Sequence, residues 1–142
     1  MNNSQEKLQI AVKYAMANRP KVGGFPFLAE CLRQAGVKRN LWSLPGAQSI
    51  CVMKEGVVVN QGTPLVSGMA EVPTFDEKAL ITALRTDQAG NSTFPEFLNA
   101  IWNAGAIGYD VNFTTRNVSY FGARGEKYVE SYPAVEVGEM KL

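Results

Sequence analysis

Asp110 and Glu130 are the two acids best spaced to act together in this chain. They fall on the first and third strands of a predicted antiparallel meander. With Phe121 opposite Glu126 across the intervening turn, Asp110, Asn112, Ser119, Tyr128, Glu130 and Tyr132 share one face. Two carboxylates on one face can divide the roles of general acid and general base. A one-residue change of register would send Tyr128 and Glu130 to the other face. Polar alternation is also the ordinary mark of a solvated antiparallel face. A second polar cluster lies in the loop of residues 86–91, where Asp87 and Gln88 follow Arg85. Loops of this kind often carry function, although Gly90 as a helix stop and Asn91, Ser92 and Thr93 as caps explain the same residues structurally. With Arg116 from the strand turn, the candidate ligand- or partner-binding set is Asp87, Gln88, Asp110, Arg116, Tyr128 and Glu130. The first meander, with Ile50, Val52, Val57 and Val59, is aliphatic and reads as packing.

Other chemistries are narrowed by what the chain lacks. It contains no histidine, which removes Ser-His-Asp and Cys-His hydrolysis, imidazole proton transfer and most transition-metal sites. Cys31 and Cys51 fall in different predicted elements and form no Cys-x-x-Cys, so no metal or other cofactor is expected. The glycines of Val22-Gly23-Gly24-Phe25-Pro26 precede a helix start but lack a phosphate-loop lysine pattern. Tyr109, Tyr120, Tyr128 and Tyr132 could line a pocket or an interface, or equally the amphipathic edge of a core.

The elements that must position these residues come in two sets. Residues 25–64 laid over 94–133, an offset of 69, bring six identities into register: Phe25/Phe94, Pro26/Pro95, Ala35/Ala104, Gly36/Gly105, Gly56/Gly125 and Pro64/Pro133. Most are the glycines and prolines that fix backbone conformation. Apolar positions between them match by class, as in Leu32/Ile101 and Leu44/Phe113. The pattern predicts helices over 4–18 and 25–35, strands near 41–44, 48–53 and 57–61, and a connector over 62–73 in which Leu65 and Val66 could add a short strand. A capping box at Thr74-Phe75-Asp76-Glu77 starts a third helix, and one at Thr93-Phe94-Pro95-Glu96 starts a fourth. Strands at 109–113, 118–120 and 128–130 close the chain. The fold expected is α+β: one domain over 1–142, made of two helix–helix–three-stranded antiparallel meander units, 1–64 and 70–133.

Composition sets the remaining bounds. The 46% hydrophobic content supports a real core, and no apolar run is long enough to span a bilayer, so no membrane partner is expected. A polar start without an apolar segment behind it, and two isolated thiols, make a cytoplasmic protein with reduced cysteines the expectation. Residues 1–40 carry seven Lys/Arg against two acids, and the remainder carries seven against eleven. That asymmetry could steer a partner, but it lacks the concentrated positive field of a nucleic-acid binder.

The run from Leu84 to Phe97 (Leu-Arg-Thr-Asp-Gln-Ala-Gly-Asn-Ser-Thr-Phe-Pro-Glu-Phe), then Ala104-Gly105, Tyr109 to Phe113, Tyr120, Gly125-Glu126 and Tyr132-Pro133, resembles a bacterial domain family of unknown function. It is similar in particular to the YbcV-like prophage proteins of enterobacteria, some of which carry the label "phage envelope protein". Residues 22–30 and 61–68 share the likeness, so it covers nearly the whole chain. The resemblance implies a phage-derived, soluble bacterial protein and supplies no reaction, ligand or catalytic residue. Three classes follow from the residues. A non-catalytic module binding another protein or itself, with a homodimer possible, ranks first. A small-ligand binder at the seam between repeats ranks second, and a carboxylate-dependent enzyme third.

Overall fold

The computed structural model describes residues 3–142. Each half runs helix, helix, three strands. The first half contains α1 (Asn3–Asn18), α2 (Gly24–Gln34), β1 (Val37–Ser43), β2 (Gln48–Met53) and β3 (Val57–Gln61). The second contains α3 (Glu77–Gln88), α4 (Phe94–Asn103), β4 (Ala106–Asn112), β5 (Asn117–Gly122) and β6 (Lys127–Ser131). The strands form one antiparallel sheet in the order β3-β2-β1-β4-β5-β6, so the two meanders meet where β1 pairs with β4. The α+β expectation holds.

Local chemistry explains where the helices begin and end. Thr93 and Glu96 form the predicted capping box of α4, with Thr93 N–H donating to Glu96 Oε1 at 2.8 Å and Glu96 N–H to Thr93 Oγ1 at 3.3 Å. The other predicted box does not form. Asp76, not Thr74, caps α3, accepting from Ala79 N–H at 3.1 Å. Its own N–H donates to the Ala104 carbonyl at 2.8 Å, and this tie to the end of α4 fixes where α3 starts. Leu65 and Val66 form no strand; their N–H groups bond the Pro45 carbonyl and hold the connector against the β1–β2 turn.

The duplication reaches into backbone irregularities. Pairing breaks register between Val37 and Arg39 in β1, and between Ala106 and Gly108 in β4, the same places 69 residues apart. Among the described residues, Ala47 (φ 48°) and Arg116 (φ 55°) are the two non-glycine residues with positive φ, and they too are 69 apart. Each follows its first strand in a tight turn, a conformation that L-residues adopt at a cost. After the second strand the spacing becomes 70: Cys51 opposes Val58, whereas Tyr120 opposes Tyr128. The cause is one extra residue in the β5–β6 turn, closed from Gly122 to Glu126 where the β2–β3 turn closes from Met53 to Gly56. Gly62 and Tyr132 are therefore counterparts. Their N–H groups make the same bond, to the carbonyl of Ala47 at 2.7 Å and of Arg116 at 3.0 Å.

The helices cover one face of the sheet. Val37, Cys51, Met53, Tyr109, Val111, Val118 and Tyr120 turn inward and share a core with Leu80, Leu84, Phe97, Leu98, Ile101 and Trp102 of α3 and α4. Leu44 and Phe113, equivalent residues after β1 and β4, are fully buried, each stabilising by roughly 1.5–3 kcal/mol. A smaller cluster of Ala11, Ala15, Cys31, Ala35 and Val137 joins α1, α2 and residues 135–140, with the Tyr14 hydroxyl donating to the Val137 carbonyl. No described helix covers the other face. Val57 and Val59 are 60% and 54% exposed, which corrects the reading of these two residues as packing.

Candidate functional site

The β5–β6 register decides how the predicted residues group. Phe121 opposes Lys127 rather than Glu126, and Ser119 opposes Val129. Tyr128 and Glu130 therefore share the inward face with Tyr120 and Val118, while Asp110, opposite Ser119, lies on the open face. The expected common face of Asp110, Tyr128 and Glu130 does not exist, and the two carboxylates cannot act on one substrate atom. The physical reason is the extra turn residue, which shifts every side chain beyond it by one position.

Gln88, Tyr128 and Glu130 do come together, joined by Arg85. Glu130 Oε1 accepts from Arg85 Nη1 at 2.7 Å and from Gln88 Nε2 at 2.6 Å, and Oε2 accepts from the Tyr128 hydroxyl at 2.7 Å. Partial burial pushes the Glu130 carboxyl up, but the bonds from Arg85, Tyr128 and Gln88 outweigh it and leave the pKa below the ordinary value. A carboxylate already accepting three donors is poorly disposed to take a proton from substrate. Its evident work is to clasp β6 to the end of α3.

Asp87 stands apart from that clasp. Its Oδ1 accepts from Ser92 Oγ at 3.0 Å, and burial raises its pKa against the lowering influence of Ser92 and Arg19. Its charge is felt by the Tyr109 and Tyr120 hydroxyls, which burial pushes well above their usual value. Those tyrosines belong to a row of rings under the helices. Centroids are 5.8 Å apart from Trp42 to Tyr109, 5.6 Å from Tyr109 to Tyr120 and 6.4 Å from Tyr120 to Tyr128. The four are direct cross-strand partners, so pairing geometry alone sets the stack.

On the open face Asp110 forms a two-bonded ion pair with Arg39, whose Nε lies 3.2 Å from Oδ1. Arg116 holds the β4–β5 turn and offers its carbonyl to Tyr132. Among the described residues no group of three His, Cys, Asp or Glu side chains is placed to hold a metal ion, and no helix is long and apolar enough to cross a membrane.

Two features lie outside the site residues singled out from the sequence. The first is the open apolar face: Leu41, Ile50 and Val59 lie in one row across β1, β2 and β3, with Val52 and Val57 in the next. The second is a cavity of about 170 Å³ between the repeats, bounded by Trp42, Ala47 and Gly62 of the first and Phe94, Pro95 and Leu98 of the second. Near-unbroken hydrophobicity in β2 hides which of its faces is covered, and the cavity depends on a residue match that the turn insertion conceals.

The fold defines a duplicated α+β protein in which the Glu130 carboxylate is saturated by Arg85, Gln88 and Tyr128. No protein-family model matches the chain. Over 129 residues, 91% of this chain and 79% of each relative, it is 52% identical to uncharacterized proteins Rv2012 and MT2067 of Mycobacterium tuberculosis and Mb2035 of Mycobacterium bovis. The chain belongs to the same family as these mycobacterial proteins.

Proposed function

We propose that this chain is a non-catalytic protein-interaction module that associates with a second copy of itself through the open face of its sheet. One observation carries the reading: Leu41, Ile50, Val52, Val57 and Val59 form a contiguous aliphatic patch on three adjacent strands that no described helix covers. Contiguous exposed apolar surface in a folded domain marks an interaction site. The row of Val57 and Val52 continues into Arg39 on β1, whose charge is balanced by Asp110 beside it, so the face can meet its own copy with little like-charge repulsion, as an isologous contact requires. Three strands at ~4.8 Å spacing and about five residues at ~3.4 Å give the patch a footprint of ~14 by ~17 Å. That is the size of the apolar centre of an interface, and the polar residues of β4–β6 on the same face would form its rim.

Of the predicted binding residues, Asp110 lies on this face, while Gln88, Tyr128 and Glu130 bond one another at the β6 edge. The sequence resemblance to the YbcV-like proteins supports a phage-derived origin. The unpaired, buried Cys31 and Cys51 support a reducing, cytoplasmic setting.

Light scattering coupled to size-exclusion chromatography tests the reading. The wild-type chain should run as a dimer, and Val59→Lys should run as a monomer with an unchanged melting temperature, because this exposed position contributes little to folding. A wild-type chain that stays monomeric up to about 1 mM, where even weak association appears, overturns it.

A further inference from the structure

We infer that the cavity between the repeats is a binding site for one uncharged aromatic ring, at the place where the other repeat supplies a ring of its own. The duplication produces two equivalent seams, and their contents differ. In one, Tyr132 packs edge-on against Phe25, with centroids 5.2 Å apart and planes at 77°. Phe94 is the counterpart of Phe25 at the spacing of 69, and Gly62 is the counterpart of Tyr132 by the hydrogen bond each makes to its left-handed turn residue. Glycine supplies no ring. Phe25 is consequently half-buried, whereas Phe94 is left 46% exposed beside the cavity of about 170 Å³.

Size and polarity narrow the occupant. About 150 Å³ is enough to hold benzene, so this half-open, mostly apolar cleft of about 170 Å³ has room for a single substituted ring. Trp42 already presents its indole to Phe94, at 5.2 Å and 68°, and an incoming ring would join an existing aromatic pair. The charges that surround the Tyr132 ring are missing here: Arg116 and Glu30 influence Tyr132, and their counterparts are Ala47 and Asn99. Nearby polar groups are committed elsewhere. Trp42 Nε1–H donates to Asn40 Oδ1 at 2.8 Å, and the Ala47 carbonyl takes the Gly62 N–H. Thr63 offers the one side-chain hydroxyl in the lining. The lining holds no charged side chain to pair with an ionic group or replace the water it would lose there, so the ring is neutral. It can come from a small free aromatic molecule or from an aromatic side chain of a peptide.

Titration with p-cresol, followed through the Trp42 indole N–H and the Gly62 and Thr63 amides in proton–nitrogen correlation spectra, tests the site. Saturable shifts centred on these three groups are expected. Phe94→Ala, a change at an exposed ring, should keep the folded spectrum and weaken p-cresol binding at least about fivefold. The anion 4-hydroxyphenylacetate should bind at least about fivefold more weakly than p-cresol. N-acetyltyrosinamide separates the two sources: tighter binding than p-cresol favours a peptide side chain, weaker binding a free molecule. No saturable shift at Trp42 up to the solubility of p-cresol, or equal binding by folded Phe94→Ala, overturns the inference.

Discussion

Leu41 and Asp110 are the same position of the two repeats, 69 residues apart, and they face each other across the β1–β4 seam. A pseudo-twofold axis normal to the sheet passes between them. It exchanges the pair Arg39–Asn112 with Ser43–Gly108 and the pair Asn40–Val111 with Trp42–Tyr109. The two residues differ in character: Leu41 contributes to the aliphatic patch, and Asp110 binds Arg39. Asp110→Asn should cost less than about 1 kcal/mol in urea unfolding, because the Arg39 side chain is half exposed and its ion pair is screened. A loss of several kcal/mol would mean that the pair locks the seam.

The two helix-ending glycines predict an asymmetric result. Gly36 (φ 101°) and Gly105 (φ 94°) both adopt the left-handed conformation expected of them. A Cβ at Gly36 would meet only Met53 Cε at 3.7 Å, whereas one at Gly105 would lie 2.5 Å from Phe75 Cα and 2.7 Å from the Thr74 carbonyl oxygen. Gly36→Ala should therefore cost the ~1–2 kcal/mol of the backbone alone. Gly105→Ala must also displace the chain before α3 and should cost at least twice as much. Equal midpoints in denaturant would refute the difference.

The same glycines show why the architecture could be read from the sequence. Gly36, Gly105, Pro26 and Pro95 impose backbone states that few other residues accept, so their spacing reports the repeat directly. The strand faces were less legible. β2 carries Ile50 and Val52 outward and Cys51 and Met53 inward, and four apolar residues in succession do not distinguish covered from uncovered. In β6 one inserted turn residue reversed the faces of Tyr128 and Glu130 and hid the correspondence of Gly62 with Tyr132. Thr74 also looked like a cap, yet Asp76 took the role because its N–H is held by Ala104.

Glu130 and Asp87 should affect stability with opposite signs as pH changes. The folded pKa of Glu130 is depressed, so its clasp contributes fully above the unfolded value of ~4.3 and is lost as pH falls through the folded value. Glu130→Gln should cost about 1 kcal/mol or less near neutrality, given the exposure of Arg85, with the gap to wild type closing in acid. The folded pKa of Asp87 is raised, chiefly by burial. Its penalty is absent below the unfolded value of ~3.9 and complete above the folded one. Asp87→Asn should be at least as stable as wild type near neutrality and lose that advantage in acid. Urea midpoints from pH ~3 to ~7 read both signs, and a Glu130→Gln gap that widens in acid would contradict the clasp.

Cys31 and Cys51 provide the last test, because their reactivity reports the intact core rather than chemistry of their own. Cys31 is fully buried among α1, α2 and Val137, and Cys51 is buried on the inward face of β2. Burial raises both thiol pKa values, Cys31 further through the nearby Glu30 charge and Cys51 despite a contact from Asn40. Little thiolate is present at neutral pH, and reagent cannot reach what there is. Reaction with a disulfide reagent should be slow in the native protein and about a hundredfold or more faster once denaturant unfolds it, with two thiols then titrating. Dithiothreitol should leave the melting temperature unchanged, since the cysteines are unpaired. Rapid labelling of one thiol in the native state would place a local opening in the element that carries it. For Cys31 that element is the α1–α2 pair, whose small alanine-lined core has less apolar surface to hold it closed than the main core has.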